Sequence, residues 1–311
     1  MLRTVKTWIQ KIAYLLGMRT QEEIPVSQAR RSSKTGTQKK ERVMTQVLQP
    51  AYTRRLKPEL EDAISSGNDA ASLISWYGLT DIGIVRPHNE DNLSCLALAE
   101  STLFVVADGM GGHEAGEVAS KIAVDTVCEE VRVGAEQGKD PLRLIEHAVQ
   151  RANAAVRQEG QARGSNMGTT ISVAYVTDST AYVANVGDSR VYWVENGTIS
   201  QITEDHSLVA RMVAAGKLTK EEARRHPKSN LLLRTVGTDD VVEVDTFRVG
   251  LRKGGNLLLC TDGLWGMVPD PDLHTVFAAE KNIKKVCAKL IKKANENGGL
   301  DNITALVVQV A

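Results

Sequence analysis

The chain has 311 residues, 42% of them hydrophobic and 24% charged, and its 38 basic and 38 acidic side chains cancel to a formal net charge of zero. Its four cysteines, Cys95, Cys128, Cys260 and Cys287, form no CxxC pair and no regular spacing, which argues against a disulfide framework and a zinc site and fits a reducing cytoplasm. No apolar run reaches the ~18 residues of a membrane span, and no small-residue cleavage site follows the first apolar stretch, so neither a spanning helix nor a secretory signal is read.

The charge is unevenly spread. Residues 1–57 carry 13 Lys and Arg against 3 Asp and Glu, so a basic arm precedes an acidic remainder. Within the arm, Leu2, Val5, Trp8, Ile9, Ile12, Leu15 and Leu16 fall on one helical arc of roughly 140° with Lys6 and Lys11 off it. This amphipathic helix over 2–16 has the form of an element that lies on an anionic membrane surface or docks on a partner; packing on its own domain is the plain alternative. Residues 20–45, rich in Arg, Lys, Ser, Thr and Gln, read as a flexible linker. Residues 46–74 carry weak helical character broken by Pro50 and Pro58, so 1–74 is read as an N-terminal arm and 75–311 as the folded domain.

From about residue 75 short apolar runs alternate with turns: LSCLALA, TLFVVAD, TTISVAYV, TAYVANVGD, RVYWVENG, NLLLCTDG and ITALVVQVA. These read as strands bounded by Gly, Asp or Asn. Helical spacing appears from about 114 to 133, from Pro141 to about 159, as a pair near 206–226 and as another near 270–297. Strands outnumber helices and adjoin through short turns, which predicts an α+β domain of antiparallel sheets with helices packed outside.

Several of these strands end in Asp, often before Gly: Asp108–Gly109, Asp262–Gly263 and Asp188. Glu90, Asp91 and Asp301 sit in loops beside other strands. A single Asp-Gly pair is an ordinary turn signal. A set of carboxylates brought together repels itself unless cations intervene, and oxygen donors without a His/Cys cluster suit Mg²⁺ or Mn²⁺. Composition and spacing alone do not say that these acids converge.

Taken in order, Arg86-Pro-His-Asn-Glu90-Asp91, Asp108-Gly-Met-Gly-Gly112, Gly168-Thr-Thr170, Asn185-Val-Gly-Asp188-Ser-Arg190, Asp205-His-Ser207, Thr261-Asp262-Gly-Leu-Trp265 and Asp301-Asn-Ile-Thr304 resemble the metal-dependent protein phosphatases, the PPM or type-2C family, in its bacterial form. The resemblance covers about 75–311. It implies a four-layer αββα sandwich, two antiparallel β-sheets packed face to face with helices on both outer sides. It implies hydrolysis of phosphoserine and phosphothreonine in proteins, reversing a serine/threonine kinase, by water activated at a binuclear Mg²⁺ or Mn²⁺ centre. By position, Asp108 would bridge the two ions and the Gly109 carbonyl would ligate one. Asp262 and Asp301 would complete one shell, Asp91 and Glu90 would hold the other ion, and Asp188 matches a third-metal residue. Arg86 matches the residue that clamps the substrate phosphate, where a planar guanidinium binds two oxygens at once.

One position departs from the animal members, in which a histidine after Asp-Gly protonates the leaving alcohol. Here it is Met110, as in bacterial members, and His113 is the candidate donor with metal-bound water as its rival; His88 and His206 are weaker candidates, read rather as structural. Residues 205–240 correspond to the family's flap, with Lys217, Lys220, Arg224, Arg225 and Lys228 making it basic, a receiving surface for acidic phosphorylated segments or simply a solvated face. Gly168-Thr169-Thr170 reads as the start of a core strand with no chemistry. The reading expects phosphoproteins as partners, no nucleic acid, a monomer and a cytoplasmic location with 2–16 as a peripheral contact. Three rivals stand beside it: a small phosphate ester as substrate, an inert fold that only binds phosphoproteins, and a basic arm that binds nucleic acid.

Overall fold

A computed structural model of the chain describes residues 65–69 by their backbone, and residues 74–111 and 115–311 in full. The expectations for residues 2–16, for 20–45 and for His113 lie outside the described residues.

Two six-membered sets of strands form the middle of the fold. The first sheet runs in the order β1 (Ser65–Asp69), β2 (Ile74–Asp81), β12 (Ile303–Val310), β11 (Asn256–Cys260), β8 (Arg190–Glu195), β9 (Thr198–Gln201). The second runs β10 (Asp245–Gly250), β7 (Thr180–Val186), β6 (Ile171–Thr177), β4 (Ser101–Met110), β3 (Asp91–Ala97), with the two-residue β5 (Gly168–Thr169) pairing β4. Every pairing is antiparallel.

The central strands read as unbroken apolar runs because both of their faces are buried. In β4, Phe104 and Val106 point into the core between the sheets, while Leu103, Val105 and Ala107 point the other way. There they meet Ala123, Val127 and Val131 of α1 (Ala115–Glu136) and Ile145, Val149 and Val156 of α2 (Pro141–Arg163). In β11, Leu257 and Leu259 join the same central core, and Leu258 and Cys260 face Leu273 and Phe277 of α6 (Asp270–Ala279) and Val286, Leu290 and Ile291 of α7 (Ile283–Glu296). The architecture is therefore helix, sheet, sheet, helix, the four-layer α+β sandwich. Burying each such Val, Leu or Phe side chain is worth about 1.5–3 kcal/mol, so the two sheets make a stiff platform for whatever their ends carry.

The helix limits follow local chemistry. Asp140 caps α2 by accepting from the Arg143 amide at 3.0 Å, Pro141 opens it, and Gly164 closes it in a left-handed conformation, φ 63°. Two short helices, α3 (Leu208–Ala214) and α4 (Lys220–Arg224), lie between β9 and β10 in the chain, and the single turn α5 (Asp262–Trp265) follows β11.

One boundary differs from the sequence reading. The arm was expected to reach residue 74 with a weakly helical end, but residues 65–69 are a strand, with Ser65 opposite Gly78 and Asp69 opposite Ile74. The segment SSGND has no apolar residue and therefore no periodicity to read; it pairs with β2 as an antiparallel edge strand. The helix read to about 159 likewise continues to Arg163.

Candidate metal centre

Antiparallel order puts the start of β3, the ends of β4, β7 and β11, and the start of β12 at one end of the sandwich. Asp91 and Asp108 are direct cross-strand partners there. Asp188 follows β7, Asp262 follows β11, and Asp301 precedes β12. A cleft of about 190 Å³ opens between them, lined by Arg86, Glu90, Asp108, Asp188, Asp262 and Asp301, with Gly109, Met110, Gly111, Thr170, Asn230 and Leu232 completing its wall. Asp91 lies behind this wall and is buried.

Buried threonines hold the acids from behind. Thr261 and Thr304 both donate to Asp91 Oδ2, at 2.7 and 2.6 Å. The Asp108 amide donates to Thr170 Oγ1 at 2.9 Å, and its carbonyl accepts from the Thr169 hydroxyl at 2.7 Å. Asn302 fixes the approach to β3: its Oδ1 accepts from the Glu90 amide, and its Nδ2 donates to the carbonyls of Ile82 and His88. Gly109 and Gly263 permit close backbone approach. A Cβ on Gly109 would sit 2.0 Å from the Gly116 carbonyl oxygen, and one on Gly263 would sit 1.9 Å from that of Asn302.

The electrostatics are those of crowded, half-desolvated acids. Burial, reinforced by the charges of Asp262 and Asp301, pushes Asp91 up to about 8 despite its two threonine donors. Burial and then the charges of Asp91, Asp262, Asp301 and Asp188 raise Asp108 well above the usual carboxylate range. Burial and Asp262 do the same to Asp188. Asp262 is pushed to about 6 by burial and by Asp301. Arg86 answers this charge at the rim, its Nη2 donating to Asp301 Oδ2 at 2.6 Å.

The residues suit hard divalent cations. Asp91 Oδ1 and Asp262 Oδ1 are cut off from solvent and have no hydrogen-bond partner, and every side-chain donor in the set is oxygen. Among the described residues no three such side chains are already closed to ligating spacing. Asp301 accepts from Arg86, and Asp91 accepts from its two threonines.

A carboxyl that binds its proton more tightly folded than unfolded makes folding take up protons, so stability rises as pH falls through its folded pKa. The metal-free protein is expected to melt higher near pH 6 than near pH 8 as Asp91, raised to about 8, and then Asp262, raised to about 6, become protonated. Melting curves in a chelator across that range check it, and a melting temperature that drops as the pH is lowered from 8 to 6 would contradict the crowding described above.

Sequence reasoning overlooked several participants. Thr169 and Thr170, read as strand starters, grip Asp108, and Thr170 lines the cleft. Trp265 donates from its indole to the Asp188 carbonyl at 2.9 Å, while the Arg190 guanidinium lies 3.5 Å above its ring. Of the five basic flap residues, Arg224 does not face solvent for an acidic segment. It donates to the Trp265 carbonyl at 2.7 Å and pairs with Asp270. His206 is held by the Gly187 amide, Asp245 and Arg234, and His88 is absent from the cleft lining. The flap contributes Asn230 and Leu232 to the cleft.

A sequence profile of the family Protein phosphatase 2C matches residues 86–303. The serine/threonine phosphatase stp of Listeria welshimeri serovar 6b is 40% identical over 238 residues, covering 74% of this chain and 93% of that protein. The solved serine/threonine phosphatase of S. agalactiae superposes with a TM-score of 0.70 at 34% identity, over 76% of this chain and all of that one. The catalytic domain of the serine threonine protein phosphatase PstP, solved in complex with two manganese ions, superposes with a TM-score of 0.68 at 32% identity, over 76% of this chain and 98% of that one.

Proposed function

This chain belongs to the protein phosphatase 2C family, and from that membership we propose that its cleft carboxylates hold two Mg²⁺ or Mn²⁺ ions beside an Arg86 that receives the substrate phosphate. The chain is a serine/threonine protein phosphatase, a metal-dependent hydrolase of phosphoproteins. What the proposal adds is the assignment of residues. Asp108, the Gly109 carbonyl, Asp262, Asp301, Asp91 and Glu90 would together hold the two ions, and Asp188 would help to hold a third.

One observation carries this assignment. Five aspartates and Glu90 meet at one end of the sandwich, and two of their buried oxygens, on Asp91 and Asp262, have no partner. Bound there, the cations would supply positive charge to the phosphate oxygens and lower the pKa of a water that attacks phosphorus.

The chain's own side chains do the rest. Arg86 exchanges the Asp301 carboxylate for two phosphate oxygens, a match for its planar fork. Thr169 and Thr170 keep Asp108 on the axis of β4, so catalysis rests on positioning and electrostatics. Met110 cannot protonate the leaving serine or threonine oxygen, and His113 is our candidate for that proton.

The proposal extends to residues 2–16 as a peripheral contact with a membrane surface or a partner, to a cytoplasmic location and to a monomer. The peripheral contact rests on the amphipathic pattern and the location on the cysteine usage. No described helix is long and apolar enough to cross a membrane.

The test is phosphate release from a phosphothreonine peptide by the full chain, with Mn²⁺, with Mg²⁺ and with EDTA, beside Asp262→Asn. Turnover that requires the ion and vanishes in the variant is the expected result. Full turnover in EDTA, or in Asp262→Asn, overturns the metal assignment.

A further inference from the structure

Among the described residues, the large apolar side chains left exposed are Ile84, Val85, Leu233, Val241 and Leu300. Single exposed aliphatics need no explanation, but three of these five share one small piece of surface. The amides of Ile84 and Val85 both donate to the Gly299 carbonyl, at 2.8 and 3.2 Å, which ties the loop after β2 to the loop before β12. Ile84 Cγ1 lies where a Cβ on Gly299 would meet it at 2.9 Å, and Leu300 Cγ lies 3.7 Å from the place of a Cβ on Gly298. The side chains of Ile84 and Leu300 thus lie over neighbouring residues of one backbone turn, 56% and 57% exposed, and Val85 beside them is 60% exposed.

This surface is rigid. Asp81 Oδ1 accepts from the Gly83 amide at 2.8 Å and from Asn295 Nδ2 at 3.0 Å. Asn302 grips the carbonyls of Ile82 and His88 on the other side. Gly83, at φ 78°, sits where a Cβ would come within 2.2 Å of the Asp301 carbonyl oxygen, so only glycine lets the two loops close together. Buried polar groups and a glycine in the left-handed region therefore hold three aliphatic side chains out in water. Fraying does not explain such an arrangement, and preorganisation for an apolar contact does.

Its position says what it contacts. Val85 is the chain neighbour of Arg86, and Leu300 is the chain neighbour of Asp301, the two residues that pair at 2.6 Å on the rim of the cleft. The patch is continuous with the surface that must receive a phosphorylated polypeptide. We infer that Ile84, Val85 and Leu300 form a docking patch for an aliphatic or aromatic side chain of the substrate protein, within about three residues of the phosphorylated serine or threonine, a span set by ~3.4 Å per extended residue. The inference rests on the phosphatase reading and on Arg86 as its phosphate-binding residue. An acidic side chain laid on these three aliphatic groups would lose hydration without gaining a polar partner from them, so the patch selects apolar over acidic flanks.

The experiment uses the full chain with Mn²⁺ and two kinds of substrate. One is a set of phosphothreonine peptides with Leu, Ala or Asp placed at each of the three positions on either side of the phosphothreonine. The other is p-nitrophenyl phosphate, which has no flanking residue. The wild type is expected to show kcat/KM about 10-fold higher for Leu than for Ala at one or two of these positions, and lower still for Asp. Ile84→Thr and Leu300→Gln, neither of which lines the cleft, are expected to erase the Leu preference and leave p-nitrophenyl phosphate turnover as it was. Equal rates for Leu and Ala peptides in the wild type, or equal losses on both kinds of substrate in the variants, overturn the patch while leaving the phosphatase reading intact. Peptide turnover that rises in the variants assigns the patch to a covering segment of this chain, and a change in sedimentation assigns it to a second copy; either overturns the substrate role. No turnover of any substrate by the wild type overturns both readings together.

Discussion

Asp108→Asn is expected to lose at least about 10³-fold in phosphatase activity while leaving the metal-free protein as stable as the wild type or more so. The two halves of this prediction have one cause. Asp108 faces Asp91 across the β3–β4 pair and feels the charges of Asp262, Asp301 and Asp188 as well. Asparagine keeps the shape and removes the charge. The contacts that place the backbone of residue 108 are its amide to Thr170 Oγ1, and its carbonyl from the Thr169 hydroxyl and the Thr170 amide. These survive the substitution. Without cations, one fewer acid relieves repulsion among the rest, so the melting temperature in EDTA should hold or rise. With cations, the charge in the middle of the donor set is missing, and the rise in melting temperature that Mn²⁺ gives the wild type should shrink or disappear. Peptide turnover and melting curves with and without Mn²⁺ test both halves. Near-normal activity sinks the central role of Asp108, and a fall of several degrees in EDTA shows that its carboxylate is structurally required instead.

The same residues show what a sequence can and cannot convey here. Strands such as β4 and β11 are legible because both faces are buried, so LFVVA and LLLC stand out as unbroken apolar runs. The acids are legible because each sits at the end of such a run and in the order of a known family. β1 is illegible because an edge strand of Ser, Gly, Asn and Asp carries no apolar pattern. The threonines that grip Asp91 and Asp108 are illegible for a different reason. Thr261 and Thr304 lie 170 and 213 residues from Asp91, and in a strand-rich chain threonine already has a reason to be present. Arg224 shows the limit for surface charge. Its helix reads as basic and solvated, yet its side chain turns inward to the Trp265 carbonyl, a direction set by a partner 41 residues away.

Arg190→Met is expected to destabilise the fold by about 3–5 kcal/mol, which for a domain of this size lowers the melting temperature by about 2–4 °C per kcal/mol. Arg190 is buried to 11% side-chain exposure against an Asp205 at 8%. Its guanidinium donates to both Asp205 oxygens, at 2.9 and 2.7 Å, and to Tyr192 Oη at 2.7 Å, and it covers the Trp265 ring. Methionine fills much of the volume but leaves the Asp205 carboxylate desolvated, with Gln201 Nε2 at 2.9 Å as its remaining side-chain donor. The cost comes from that stranded charge more than from the pair's own attraction, because bringing both ions out of water offsets most of the attraction between them. The double variant Arg190→Met with Asp205→Leu should therefore recover a large part of the loss, although Tyr192 keeps only its contact to Asp270 at 3.2 Å. Activity should follow a different course from stability. Trp265 bridges Asp188, through its indole, and Arg224 of α4, through its carbonyl, and the arginine stacked on it holds the ring in that place. The double variant is thus expected to fold well and still turn over phosphopeptide more slowly than the wild type. Denaturant melts and peptide kinetics on the two variants separate these effects. A single variant that loses less than about 1 kcal/mol, the range of an exposed ion pair, would mean that the Arg190–Asp205 pair is hydrated like a surface bridge.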